Sequence, residues 1–260
     1  MRILRYILSI ACVAMLTTSC VVSRAILYGD ASVDDYRAFE QENIAKGDYT
    51  FRFAESAESE RMLDTMRFEW MHFGRGDMAQ MTIDEAIAPS VDNAAIIIIH
   101  RDTILYERYF GEWSKSTQSQ IFSVSKTITA MLCGVALTEG HIRSVEDRVT
   151  DYIPELKQAD PMFEELKIKH LLDMTAGLDF DENYSFNPFS KMAKLYMGRN
   201  TMRIIERAKF SHKPGERYDY NSLTTAILGV VIERATGMTY AEYLSSKIWQ
   251  PLGMEQSASI

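Results

Sequence analysis

The run Ala94-Ala95-Ile96-Ile97-Ile98-Ile99 constrains the fold more than any other stretch of the chain. β-Branched side chains are stiff about χ1, crowd a helix and pack well on a pleated surface. A run of this length and composition therefore reads as a buried strand. His100-Arg101-Asp102 is polar and turn-like, and Thr103 to Phe110 is a second β-rich segment, so the pair reads as a hairpin. A lone hairpin is marginal in water and needs further strands or a helical layer to cover it.

The helical layer follows in sequence. From Ser123 onward Ile128, Met131, Leu132 and Val135 fall at helical spacing, with Gly140 as the stop signal. Residues 141–210 read as short helices and loops punctuated by Pro154 and Pro161. Residues 222–236 form an amphipathic helix through Leu223, Ile227, Leu228, Val231 and Ile232, ended by Gly237. Thr239-Tyr240-Ala241-Glu242 has capping-box spacing and opens a helix that ends near Pro251. Thr82-Ile83-Asp84-Glu85 has the same spacing and opens a short one. The expected order is strands first, then a long helical region, with no strands after it. The fold class is thus α/β (α+β): an antiparallel sheet flanked by helices, with a mostly helical subdomain at about 140–250.

The N-terminus reads as an address. Met1-Arg2-Ile3-Leu4-Arg5 is a positive n-region, and Tyr6 to Leu16 is apolar apart from Ser9. That stretch is too short to span a bilayer but suits a signal-peptide h-region. Thr17-Thr18-Ser19 then leads to Cys20, and a small residue before a cysteine directly after an h-region resembles the lipobox of bacterial lipoproteins. In that reading residues 1–19 are a signal peptide and Cys20 is lipidated as the mature N-terminus. The alternative is an ordinary cleaved signal that contains cysteines. The lipoprotein reading places the protein in the bacterial cell envelope, as a periplasmic or outer-membrane lipoprotein held to the membrane by its N-terminal lipid. Residues 20–80 follow as a lipid-anchored tether and lead-in that packs onto the main body, and residues 81–260 as the main domain.

Charge removes one class of function. With 28 Lys and Arg against 36 Asp and Glu the net charge is -8. There is no excess basic surface to neutralise phosphates, so a nucleic-acid partner is not expected. Loss of residues 1–19 removes Arg2 and Arg5 and no acid, which makes the remainder still more acidic. The 3 cysteines exclude a disulfide scaffold and a Cys-based zinc cluster. Beyond Cys12 and Cys20, Cys133 lies in an apolar helical run and reads as a small buried hydrophobe. His72, His100, His141, His170 and His212 are scattered without metal-ligand spacing and read as structural or surface residues. No metal or cofactor is expected.

One tetrad carries chemistry: Ser123-Val124-Ser125-Lys126. On a helix, positions i and i+3 share a face, so Lys126 can reach Ser123 while Ser125 points elsewhere. A serine at the first turn sits in the positive end of the helix dipole. Its own N–H can help to hold an oxyanion. About one chance match to this spacing is expected in a chain of this length. Ser123 is the only serine that matches, and it opens a helix behind a hairpin.

The stretch Ile121-Phe122-Ser123-Val124-Ser125-Lys126-Thr127-Ile128 resembles the nucleophile helix of the penicillin-binding-protein-like serine hydrolases. That superfamily includes class C β-lactamases, D-alanyl-D-alanine carboxypeptidases, related esterases and 6-aminohexanoate-dimer hydrolase. The resemblance continues through Glu139-Gly140-His141-Ile142 and Asp151-Tyr152-Ile153-Pro154-Glu155-Leu156. Ile168-Lys169-His170-Leu171-Leu172-Asp173-Met174-Thr175-Ala176-Gly177-Leu178 is similar to the family's segment with a His-Leu-Leu core. Lys213-Pro214-Gly215-Glu216-Arg217-Tyr218-Asp219-Tyr220 resembles the approach to its tyrosine. Leu228-Gly229 through Thr236-Gly237 is similar to the helix beyond.

The resemblance implies acyl transfer to Ser123, with Lys126 and Tyr220 sharing the general-base role and an acyl-enzyme resolved by water. It implies an amide or ester substrate: a peptidoglycan-type peptide, a small ester or a short amide. Two departures modify this. The family usually has Tyr-x-Asn, whereas here Asn221-Ser222 follows Tyr220, and none of the 13 tyrosines begins a Tyr-x-Asn. Ser222 takes the asparagine's place and, with Asn221, is a candidate substrate contact. A hydroxyl is shorter than an amide and lacks its two ends, which counts against β-lactam hydrolysis. Secondly, no Lys/His-Thr/Ser-Gly motif follows Tyr220. The expectation is an N-terminal portion of such a hydrolase, its C-terminal strands missing and its sheet short with an exposed edge. A non-catalytic envelope protein that binds peptidoglycan or a partner, or an inactive fragment, is the alternative.

Overall fold

The computed structural model describes residues 21–56, 62–71, 76–87, 94–185 and 187–260. The signal-peptide residues 1–19 and Cys20 lie outside them. Among the described residues no helix is long and apolar enough to cross a membrane. The chain falls into two compact units. One takes the chain up to Ala45, then Ser119–Pro251 and Ser257–Ile260; the other is Lys46–Gln118 with Leu252–Gln256.

The second unit carries the hairpin. Strand β5 (Ala95–His100) pairs antiparallel with β6 (Thr103–Tyr109), from Ala95 opposite Tyr109 to His100 opposite Thr103, with a bulge at Ile98/Ile99. The turn between them places Arg101 at φ 51° and Asp102 at φ 60°. Two successive positive φ values give the type I′ geometry whose twist matches the strands. Strand β2 (Ala54–Glu55) adds parallel to β6, so the order is β2-β6-β5 and β5 is an edge. Ile97 and Ile99 on it remain 49% and 39% exposed, so the strand expected to be buried is instead a partly exposed edge, covered on one face only. The expected short sheet with an open edge is what the described residues form. A separate hairpin joins β3 (Phe68–Met71) to β4 (Met78–Met81). Helix α2 (Ile83–Ile87) opens on the reciprocal Thr82–Glu85 capping box. Buried Tyr106 on β6 donates to Asp84 on α2 at 2.7 Å, tying helix to sheet.

The first unit is the helical one. Helix α3 (Val124–Thr138) buries Thr129, Leu132, Cys133 and Ala136, the i, i+3, i+4 stripe of a half-buried helix. Helix α7 (Ser222–Thr236) packs on it through Leu223, Ile227, Leu228, Val231 and Ile232. Gly237, at φ 70°, closes α7 with its N–H bonded to the Glu233 carbonyl. Around this pair lie α4 (Ile168–Leu172), α5 (Lys191–Met197), α6 (Thr201–Ile205) and α8 (Tyr240–Leu244), which starts at the Thr239–Glu242 capping box. Between α3 and α4, Pro154 and Pro161 each open a 3₁₀ turn, where a missing N–H costs nothing. Fully buried Ile142, Ile153, Leu156, Phe163 and Leu166 complete the core.

One feature departs from the sequence expectation. A strand does follow the helical region: β7 (Ala258–Ser259) pairs with β1 (Asn43–Ile44). A two-residue strand has no periodicity to read, and its partner lies at the other end of the chain. The first residues of the lead-in pack onto this helical unit. Helix α1 (Val21–Tyr28) packs on α5, and buried Arg24 donates to the Met197 carbonyl at 2.6 Å. Tyr196 in turn donates to Asp35 at 2.8 Å. Phe39 meets the Tyr196 ring edge-on at 5.4 Å, with the Arg24 guanidinium over its face.

Candidate active site

Three segments converge at the N-termini of α3 and α7. The first is Phe122-Ser123. Phe122 has φ 43°, a left-handed conformation that costs a bulky residue energy and persists only where surrounding structure enforces it. It turns the chain abruptly into α3. The Val124, Ser125 and Lys126 N–H groups bond back to the carbonyls of Ile121, Phe122 and Ser123 at 3.0, 3.0 and 3.1 Å. Ser123 is the N-cap residue, yet its φ and ψ are helical and its side chain makes no capping bond. An N-cap serine ordinarily turns its oxygen onto a backbone N–H. Here Oγ is left for another partner. Lys126 Nζ lies 3.0 Å from it, across the i, i+3 step.

The second segment opens α7. Lys126 Nζ also lies 3.0 Å from Ser222 Oγ. The Tyr220 ring lies beside the same ammonium, 4.9 Å from Nζ to its centroid, within cation–π range. Thus two stretches far apart in sequence, Ser123–Lys126 and Tyr220–Ser222, meet around one nitrogen. Asn221 does not join them. It is fully buried; its Oδ1 accepts from Thr224 N and Thr224 Oγ1 at 3.0 and 2.7 Å, and its Nδ2 donates to the Asp219 carbonyl. The structure places Asn221 as the cap of α7, facing the core, rather than as a substrate contact. Adjacent residues entering a helix point in different directions, so one of the two candidates had to face away.

The third segment went unread in the sequence. Glu182 accepts from Ser222 N at 2.7 Å and from Ser222 Oγ at 2.5 Å. The carboxylate thus sits on the N-terminus of α7, where helix dipole and unpaired N–H groups favour an anion. Tyr184 donates to the same carboxylate at 2.5 Å. Partial burial and that bond push its phenol up to about 12, against a smaller opposing pull from Ser123. Because Ser222 gives its proton to Glu182, its oxygen is free to accept from Lys126. Ser222 is therefore a relay between cation and anion. No local motif marks Glu182 or Tyr184; they lie in an aperiodic loop forty residues before Ser222.

The His-Leu-Leu segment proves to be the mount for Tyr220. The Met174 and Thr175 carbonyls accept from Asp219 N and Gly215 N, both at 2.7 Å, and the Gly177 carbonyl accepts from Ser211 N at 2.9 Å. Gly177 has φ 76°, and a Cβ there would lie 2.3 Å from the His212 carbonyl oxygen. His170 accepts from Lys167 N through Nδ1, and a Cβ on Gly215 would come within 3.1 Å of its Nε2. The histidine is a brace between these two segments.

A family model described as Beta-lactamase matches residues 81–259, more than half of the chain. The chain belongs to the Beta-lactamase family. Its relatives include "6-aminohexanoate-dimer hydrolase" of Paenarthrobacter ureafaciens, 26% identical over 177 residues, covering 64% of this chain and 44% of that protein. "Protein flp" of Staphylococcus aureus (strain COL) is 25% identical over 177 residues, covering 65% and 35%. The chain therefore spans less than half the length of these curated relatives. Among solved structures, "Putative 6-aminohexanoate-dimer hydrolase from Bacillus anthracis" superposes with a TM-score of 0.72 at 22% identity, over 88% of this chain and 60% of that one. FmtA from Staphylococcus aureus superposes at 0.52 with 21% identity, over 78% and 51%. The mixed α/β architecture of helices and small sheets is the fold of these solved structures.

Proposed function

We propose that this Beta-lactamase family protein is an exported serine hydrolase that cleaves an amide or ester through an acyl-enzyme on Ser123. The observation that carries the reading is Lys126 Nζ at 3.0 Å from both Ser123 Oγ and Ser222 Oγ, beside the Tyr220 ring. Ser123 Oγ attacks the substrate carbonyl as its proton passes to the Lys126–Tyr220 pair. The carbonyl C–N or C–O bond then breaks, and the same proton leaves with the amine or alcohol. Water next attacks the ester on Ser123, giving the acid and restoring the hydroxyl. The Ser123 N–H, at the dipole's positive end, is the oxyanion donor from this helix. Either Lys126 or Tyr220 serves as base, since Lys126 Nζ touches Ser123 Oγ and the Tyr220 ring lies beside that nitrogen. Substrates are small esters, short amides or peptidoglycan-type peptides. With Cys20 lipidated, the protein works at the bacterial envelope, in the periplasm or on the outer membrane.

A fluorophosphonate probe tests the reading. Labelling of the folded protein that disappears in Ser123→Ala is the expected result. A folded sample that takes no label would overturn it and favour a non-catalytic binding protein.

A further inference from the structure

A cavity of about 370 Å³ opens at Ser123. Ala25, Phe122, Met192, Ala193, Tyr196 and Met197 line it. So do the neutral polar side chains of Asn183, Ser185, Asn187 and Ser190. Among the described residues Asp30 is the one charged side chain that lines it. Ala25 and Asp30 belong to the lead-in, so the cavity is closed partly by residues that precede the family's matched region. That wall is fixed in place. Arg24, 6% exposed, holds the Met197 carbonyl, and Asp35, 8% exposed, receives both Tyr196 Oη and the Ser32 N–H. The Gln120 N–H then bonds the Val33 carbonyl at 2.9 Å, joining the lead-in to the approach to Ser123.

A concavity with apolar walls and a few neutral polar groups beside a nucleophile is suited to hold an apolar part of the substrate next to the attacked bond. We propose that this cavity holds the substrate's acyl chain and selects an uncharged apolar chain of butyryl to octanoyl length. The chemistry rests on the hydrolase reading above; the selectivity rests on the cavity. The Asp30 carboxylate and the lack of a lining cation disfavour an acyl group ending in carboxylate.

The test is a series of para-nitrophenyl esters. kcat/KM rises about fourfold per methylene from acetyl to hexanoyl, and the mono-succinyl ester is slower than the butyryl ester of matching length. Ala193→Trp, which fills the cavity, reduces the rise to less than twofold per methylene. Met192→Ala, which widens it, moves the optimum to longer chains and serves if the tryptophan variant fails to fold. A flat series, a faster succinyl ester, or an unchanged slope in both variants overturns the proposal. Calorimetric binding of ethyl hexanoate to Ser123→Ala is independent of turnover. Binding there that falls at least tenfold with Ala193→Trp, beside absent fluorophosphonate labelling, keeps the cavity and removes the hydrolase. Labelling with a flat ester series does the reverse.

Discussion

A capping serine that does not cap is the central fact at the scale of single residues. Phe122 takes up the left-handed turn, Ser123 adopts helical angles, and its hydroxyl is handed to Lys126. General acid–base groups contribute ~10²–10⁴-fold. Lys126→Ala and Tyr220→Phe are each expected to lower the rate of fluorophosphonate labelling by about that factor, measured by stopped-time labelling. Full activity in either variant removes that residue from the mechanism. Glu182 makes a prediction in pH. The Tyr184 phenol is raised to about 12 by partial burial and by its bond to Glu182. The neutral phenol is therefore the form the fold favours. Its contribution is complete below the ordinary tyrosine value of ~10 and is lost as pH rises through about 12. In Glu182→Gln the alkaline titration of Tyr184, read as phenolate absorbance and assigned with Tyr184→Phe, moves down toward ~10. An unmoved titration would show that the carboxylate does not hold this phenol.

At the scale of elements, punctuation decided how much could be read. Helix α7 begins and ends where the sequence says, because its apolar spacing is regular and Gly237 is a strong stop signal. The β5–β6 hairpin is equally plain, since four isoleucines in a row have few other uses. Glu182 and Tyr184 were not legible, because their meaning comes from a loop folding back on α7, which no periodicity encodes. Asn221 was legible as a residue and misread as a role: its burial is set by the direction from which the chain enters α7. Asn221→Ala is expected to cost about 1–2 kcal/mol in urea unfolding. Acyl-chain preference should be unchanged. A loss of activity without a loss of stability would return Asn221 to the substrate. The glycines separate conformation from space. Gly237→Ala meets only backbone strain, about 1–2 kcal/mol. Gly177→Ala also drives a methyl into the His212 carbonyl and should cost about 3 kcal/mol. It should lower labelling as well, since the turn at Gly177 mounts the Tyr220 loop. Equal losses in the two variants would mean that the loop yields freely.

Across the whole molecule, the α3–α7 core has a reporter. Cys133 is fully buried, and burial pushes its thiol up to about 11. The thiolate is the reactive form, so modification at neutral pH requires the layer to open. Ile232, also fully buried, packs in the same core. Ile232→Ala is expected to destabilise by ~2–5 kcal/mol and to speed modification of the Cys133 peptide, read by mass spectrometry. Unchanged modification would place the opening elsewhere. The lead-in was the least legible part at this scale. Its polar ties, Arg24 to Met197 and Asp35 to Tyr196, join residues more than 160 apart in sequence. Only the folded chain shows which of its residues make the packing expected of it. That has a consequence for reach. A lipid on Cys20 would be followed at once by α1, eight residues and about 12 Å of helix. An enzyme moored this way has no leash to swing on. It would work only on what passes within a few nanometres of its own bilayer, so the membrane that holds it would also define its hunting ground.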